Sequence, residues 1–114
     1  MEEKYELILV IVNSGYSDEV MNAVRECGAL GGTVINARGT ARQEAESIFN
    51  IQIHPEKEIV MILAEAKIKD SILHAVYQKV GLNSPGQGIA FSLPVDETVG
   101  LTAHHHKKNL KEEK

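Results

Sequence analysis

Two six-residue aliphatic runs, residues 7–12 (Leu-Ile-Leu-Val-Ile-Val) and 59–64 (Ile-Val-Met-Ile-Leu-Ala), restrict what this chain can fold into more than any other feature. A short apolar run without polar interruption, rich in β-branched residues, reads as a strand with both faces out of water. Each run is followed by the same pattern. After the first, Ser17 stands as an N-cap, with Asp18 and Glu19 at the positive end of the helix dipole. Val20, Val24 and Cys27, flanked by Met21 and Ala23, form an apolar stripe, and Gly28 supplies the stop. Residues 33–37 then read as a strand. After the second run, Asp70 caps a helix whose stripe is Ile72, Leu73, Val76 and Val80. Gly81 stops it and residues 89–93 return as a strand. Cap and stop are 11 positions apart in both halves, 17 to 28 and 70 to 81.

A β-α-β unit used twice predicts an α+β fold: a ferredoxin-like βαββαβ sandwich, with a four-stranded antiparallel sheet and both helices on one face. That arrangement conflicts with the two aliphatic runs. Helices on one face leave the other face of two strands in water, over several hundred Å² of apolar surface, more than soluble monomers usually expose. The competing cover is residues 94–114 folded across the sheet. Their large aliphatic groups are only Val95, Val99, Leu101 and Leu110, so burial against sister subunits is the better reading.

At 114 residues the chain has length for one core. The expected organisation is a domain over residues 1–103 and a polar, flexible tail over 104–114. A net charge of −4, with three Tyr, two Phe and no Trp, argues against a nucleic-acid partner. The single cysteine, Cys27, excludes an internal disulfide and is expected to be buried on its helix. The acidic start, Met1-Glu2-Glu3-Lys4, and the lack of an apolar run near 18 residues predict neither signal peptide nor membrane insertion, and hence a cytoplasmic protein.

Two loops carry the functional signal. Arg38-Gly39-Thr40-Ala41-Arg42-Gln43 follows one strand, and Asn83-Ser84-Pro85-Gly86-Gln87-Gly88 precedes another. Small residues let backbone N–H groups approach a ligand, and the polar side chains can orient it. No nucleophile, carboxylate pair or cysteine cluster accompanies them, so the chain reads as a sensor of a small ligand and not as an enzyme.

Taken together these residues resemble the PII family of nitrogen-regulatory signalling proteins over residues 4 to about 102. The resemblance implies a homotrimer of ferredoxin-like subunits that binds adenine nucleotides between subunits. In that family a T-loop opening on Gly-x-Gly-Arg-Gln docks on transporters, enzymes or regulators. Here its counterpart is Gly39-Thr40-Ala41-Arg42-Gln43, with the T-loop-like segment over residues 40–57. The family's phosphate-binding Gly-Asp-Gly-Lys falls on Gly86-Gln87-Gly88-Ile89. The phosphate-facing lysine is thus Ile89, and two further basic positions fall on Gly100 and Thr102. The lysine that holds 2-oxoglutarate falls on Glu56, with Lys57 one step away, which speaks against 2-oxoglutarate. Each lost cation removes a contact of roughly 1.5–3 kcal/mol. AMP or ADP, held by glycine amides and Arg42, is therefore favoured over ATP.

The implied nucleotide-binding residues are Arg38, Gly39, Arg42, Gln43, Gly86, Gln87 and Gly88. Phe49 and Ile51, with Ile48 and Ile53, are too apolar for an idle loop and are the candidate docking residues for a target protein such as a membrane transporter or an enzyme. Plainer readings stand beside these. Arg42 can pair with Glu44 or Glu46 on the surface, Pro85-Gly86 is an ordinary turn dipeptide, and residues 48–53 can extend two strands into a hairpin. His104, His105 and His106 are candidate ligands for a divalent metal, the alternative being a trimeric metal sensor. An acylphosphatase-type enzyme of this topology needs an arginine in the loop over residues 13–17, which has none.

Overall fold

The computed structural model describes residues 4–40 and 55–101. The order is β1 (Tyr5–Asn13), α1 (Ser17–Glu26), β2 (Thr33–Arg38), β3 (Glu56–Glu65), a 3-10 turn (Ala66–Ile68), α2 (Lys69–Val80) and β4 (Ile89–Val95). The strands form one sheet in the order β2-β3-β1-β4 with every neighbouring pair antiparallel, the expected βαββαβ topology. Every strand outruns its apolar run, because ladder pairing continues through polar flanks such as Tyr5 opposite Glu65 and Asn13 opposite Lys57. Pro94 sits in β4, an edge strand, where a missing N–H is tolerated.

One core lies between the sheet and the two helices. Ile8, Val10 and Val12 of β1 and Val60, Ile62 and Ala64 of β3 meet Val20, Met21 and Val24 of α1 and Ile72, Val76 and Val80 of α2. Strand alternation sends the intervening residues to the opposite face. Across the sheet that face reads Leu63, Leu7, Leu93 in one row and Thr33, Met61, Leu9, Phe91 in the next; the third row is Ile35, Ile59, Ile11, Ile89. Leu93, Phe91 and Ile89 are 46%, 42% and 55% exposed. Among the described residues, then, the two aliphatic runs are covered on one side only.

The helix caps differ from the sequence expectation. Ser17 is the first residue of α1 and makes no side-chain cap; the preceding position is Tyr16. Glu58 reaches over from β3 instead, and its Oε1 accepts the Gly15 N–H at 3.1 Å and the Ser17 N–H at 3.3 Å. A carboxylate at a helix start meets both the orphan amides and the dipole. Asp70 likewise lies inside the first turn of α2 and caps nothing; the cap position is Ile68. The α1 stop is as expected. Gly28 has φ +107°, its N–H donates to Arg25 O, and the Ala29 N–H donates to Val24 O, a Schellman closure. Cys27 is half-buried, not buried, with Sγ against the carbonyls of Ala23 and Ser71. His74 is exposed.

Candidate functional site

The antiparallel order brings four strand ends to one edge of the sheet: the ends of β1 and β2 and the starts of β3 and β4. Both sequence-flagged loops open from that edge. Of the candidate residues, Arg38, Gly39, Gly86, Gln87 and Gly88 are there. Arg42, Gln43, Phe49, Ile51 and His104–His106 lie outside the described residues.

The first loop starts where β2 separates from β3. Arg38, exposed, is opposite Glu56 in the register. The Gly39 N–H donates to Pro55 O at 2.6 Å, tying together the two flanks of residues 41–54. A Cβ on Gly39 would stand 2.9 Å from Lys57 Cε, so the lysine stem runs directly across the glycine. Glu56 and Lys57 alternate in direction, and it is Lys57 that joins the Asn13 row of the sheet. Its Nζ donates to Asn13 Oδ1 at 2.8 Å. Partial burial pushes the Lys57 pKa below its ordinary value, since desolvation disfavours the charged form.

The second loop packs closely on the end of α2. The Gln87 N–H donates to Ser84 O at 3.0 Å and the Gly88 N–H to Val80 O at 2.5 Å. A Cβ on Gly88 would collide with the Val80 carbonyl and stand 3.1 Å from Val12 Cγ1; one on Gly86 would press on Val80 and the Tyr16 ring. Packing therefore accounts for both glycines. A ligand that uses the 87 and 88 amides must share donors already engaged, so positive charge at this edge rests on Lys57 and Arg38 among the described residues. Gln87 holds φ +49°, uncommon for a residue with a side chain.

Asn13 was not among the sequence candidates. It is 5% exposed, the one buried polar residue among those described. Its N–H donates to Gly86 O at 2.8 Å, and its Nδ2 donates to Pro85 O at 2.9 Å and Gln87 Oε1 at 3.2 Å. Its partners lie up to 74 positions away, so no local spacing announces it.

The profile described as "Nitrogen regulatory protein P-II" matches residues 5–105. The chain belongs to that family. Members of the P-II family are non-enzymatic signal regulators, typically trimers that bind nucleotides and target proteins. Among solved structures, Arabidopsis thaliana PII bound to citrate superposes with a TM-score of 0.65 at 20% identity, covering 88% of this chain and 82% of that one. The Bacillus subtilis GlnK–ATP complex gives 0.63 at 18% identity, covering 83% and 84%. A PII-like signalling protein from Thermus thermophilus gives 0.62 at 16%, covering 82% and 87%. These superpositions show a shared fold. No curated protein matches the chain. Among the described residues, no helix is long and apolar enough to cross a membrane, and no cluster of His, Cys, Asp and Glu is arranged to hold a metal.

Proposed function

We propose that this P-II family chain works in the cytoplasm as a homotrimeric signalling regulator. It binds an adenine nucleotide between subunits and relays occupancy through residues 40–57 to a target protein. The observation that carries the reading is the convergence of Arg38, Gly39, Lys57, Asn13 and Gln87 at the one sheet edge where both flagged loops open. Sister subunits provide the cover that the apolar sheet face lacks, which makes a cleft between subunits the natural place for the ligand.

In this reading Lys57, whose ammonium has two N–H donors beyond the one given to Asn13 and no other partner among the described residues, joins Arg38 and Arg42 in holding phosphate. The loop over residues 85–88 forms the wall against which the ligand lies, with Gly86, Gln87 and Gly88 as its contacts, and Gln43 orients the ligand from the opposite loop. Ile89, half-exposed at the start of β4, stands where the family places a phosphate-facing lysine. The smaller cation set favours AMP or ADP over ATP. The structure of B. subtilis GlnK with ATP supports the ligand class, and that of A. thaliana PII with citrate supports an anion-binding fold. Phe49 and Ile51 are assigned to partner docking.

Calorimetric titration with AMP, ADP and ATP, with and without Mg²⁺, tests this. Binding of at least one is expected, weakened about tenfold or more by Arg42→Ala, as for loss of a charged hydrogen bond. No heat with any of the three removes the proposal.

A further inference from the structure

Asn13 satisfies all of its side-chain hydrogen-bonding groups in one geometry, and the chemistry of its partners dictates which way the amide faces. The Lys57 ammonium only donates and the Pro85 carbonyl only accepts, so Oδ1 must face Lys57 and Nδ2 must face Pro85 and Gln87. Leucine of similar size would leave both neighbours unpartnered, and aspartate would keep the acceptor but lose the donor. The residue is thus built for two different neighbours at once. One of them, Gln87, belongs to the loop at the start of β4. The other, Lys57, lies across Gly39, whose N–H closes on Pro55. A continuous chain of contacts therefore runs from Gln87 through Asn13 and Lys57 to the Gly39–Pro55 closure.

We propose that Asn13 is a positioning residue that couples the loop over residues 85–88 to the Gly39–Pro55 closure, by holding Gln87 and Lys57 together. Displacing Gln87 leaves Nδ2 on Pro85 O alone; the Asn13 amide is then held less firmly, which loosens the grip of Oδ1 on Lys57 and with it the lysine's fixed path over Gly39. This deepens the proposed function by naming how one loop senses the other, and the link itself exists without any ligand. Glu56 and Glu58 do not serve as the alternative carrier. Glu58 is engaged at the start of α1 on the opposite face, and Glu56 is exposed beside Arg38.

Amide hydrogen exchange on the full chain, read residue by residue by NMR, tests the link. Gln87→Ala should speed exchange of the Gly39 N–H by about threefold or more, the range of coupled pairs. The Ala66 N–H, bonded to Lys4 O at the far end of the sheet, should not change. Gln87→Glu, which keeps the acceptor oxygen, should leave Gly39 as in the wild type. In an Asn13→Asp background, which holds Lys57 but cannot donate to Gln87, adding Gln87→Ala should leave Gly39 unaffected. Should Asn13→Asp not fold, Lys57→Met cuts the same link on its other side and carries the same expectation. Unchanged Gly39 exchange in Gln87→Ala, or an equal effect in the cut backgrounds, overturns the coupling. An AMP titration of the same samples separates the two claims. Failure of AMP, ADP and ATP alike to bind removes the proposed ligand, while the Gln87–Gly39 effect still decides the role of Asn13.

Discussion

Replacing Gly88 with alanine places a methyl group between two groups that cannot retreat. On one side is the Val80 carbonyl, fixed at the end of α2. On the other, at 3.1 Å, is Cγ1 of Val12, which is fully buried. Overpacking of this kind costs typically 1–3 kcal/mol, that is about 2. Moving the loop outward to relieve it breaks the bond from the Gly88 N–H to Val80 O, about 1 kcal/mol more. The expected loss is therefore about 2–4 kcal/mol. For a domain near 100 residues, about 4 °C in Tm accompanies each kcal/mol, so the melting point should fall by roughly 8–16 °C. Circular dichroism melts at matched subunit concentration measure it, since assembly makes Tm depend on concentration. Gly31→Ala is the control, because nothing lies within 4 Å of a Cβ there. It should be neutral or raise stability by about 0.4–1 kcal/mol through the unfolded chain. A Gly88→Ala melt within about 2 °C of the wild type would refute the reasoning.

Three further outcomes are expected. Glu58→Ala should cost about 1 kcal/mol, as loss of a helix cap does, while Ser17→Ala should be close to neutral; thermal melts that reverse this order contradict the capping assignment. Leu9→Glu, on the uncovered face, should give folded monomers by light scattering where the wild type gives trimers, whereas Ile8→Glu, fully buried on the helix side, should not fold; a monomeric wild type at micromolar concentration contradicts the assembly. The lowered Lys57 pKa means that the unfolded chain binds this proton more tightly than the folded one. Its burial penalty is in full force below the folded pKa and is relieved as pH rises from there to the ordinary lysine value. An anion beside Lys57 reverses that depression, so AMP affinity should fall as pH climbs through the same window, with proton uptake on binding. Calorimetry in buffers of different ionisation heat reads the uptake, and none is expected in Lys57→Met.

The fold was legible because hydrophobic periodicity and its duplication are local signals. Residues 7–12 and 59–64 pair with each other in the sheet, and both helical stripes reach the core. The strand ends were not legible, since pairing through Lys57 or Pro94 depends on a neighbouring ladder and not on apolar content. The caps misled for the same reason. Ser17 and Asp70 have capping chemistry but lie inside the first turns of their helices, and at α1 a carboxylate from β3 takes the role. Lys57 shows what register adds: a one-residue step decides which face a side chain joins, and the sequence alone left Glu56 and Lys57 side by side. Asn13 reads as an ordinary loop asparagine until the fold sets it against partners 44, 72 and 74 positions away.

The central claim is that a ligand held at this sheet edge acts on residues 40–57. Hydrogen exchange across that stretch, with and without saturating AMP or ADP whose binding calorimetry has verified, tests it directly. Altered protection within 40–57 is expected on binding, and Phe49→Ala should then abolish target docking while leaving nucleotide affinity nearly intact. Protection that stays the same in the bound and free protein would contradict it and leave residues 40–57 as a structural hairpin.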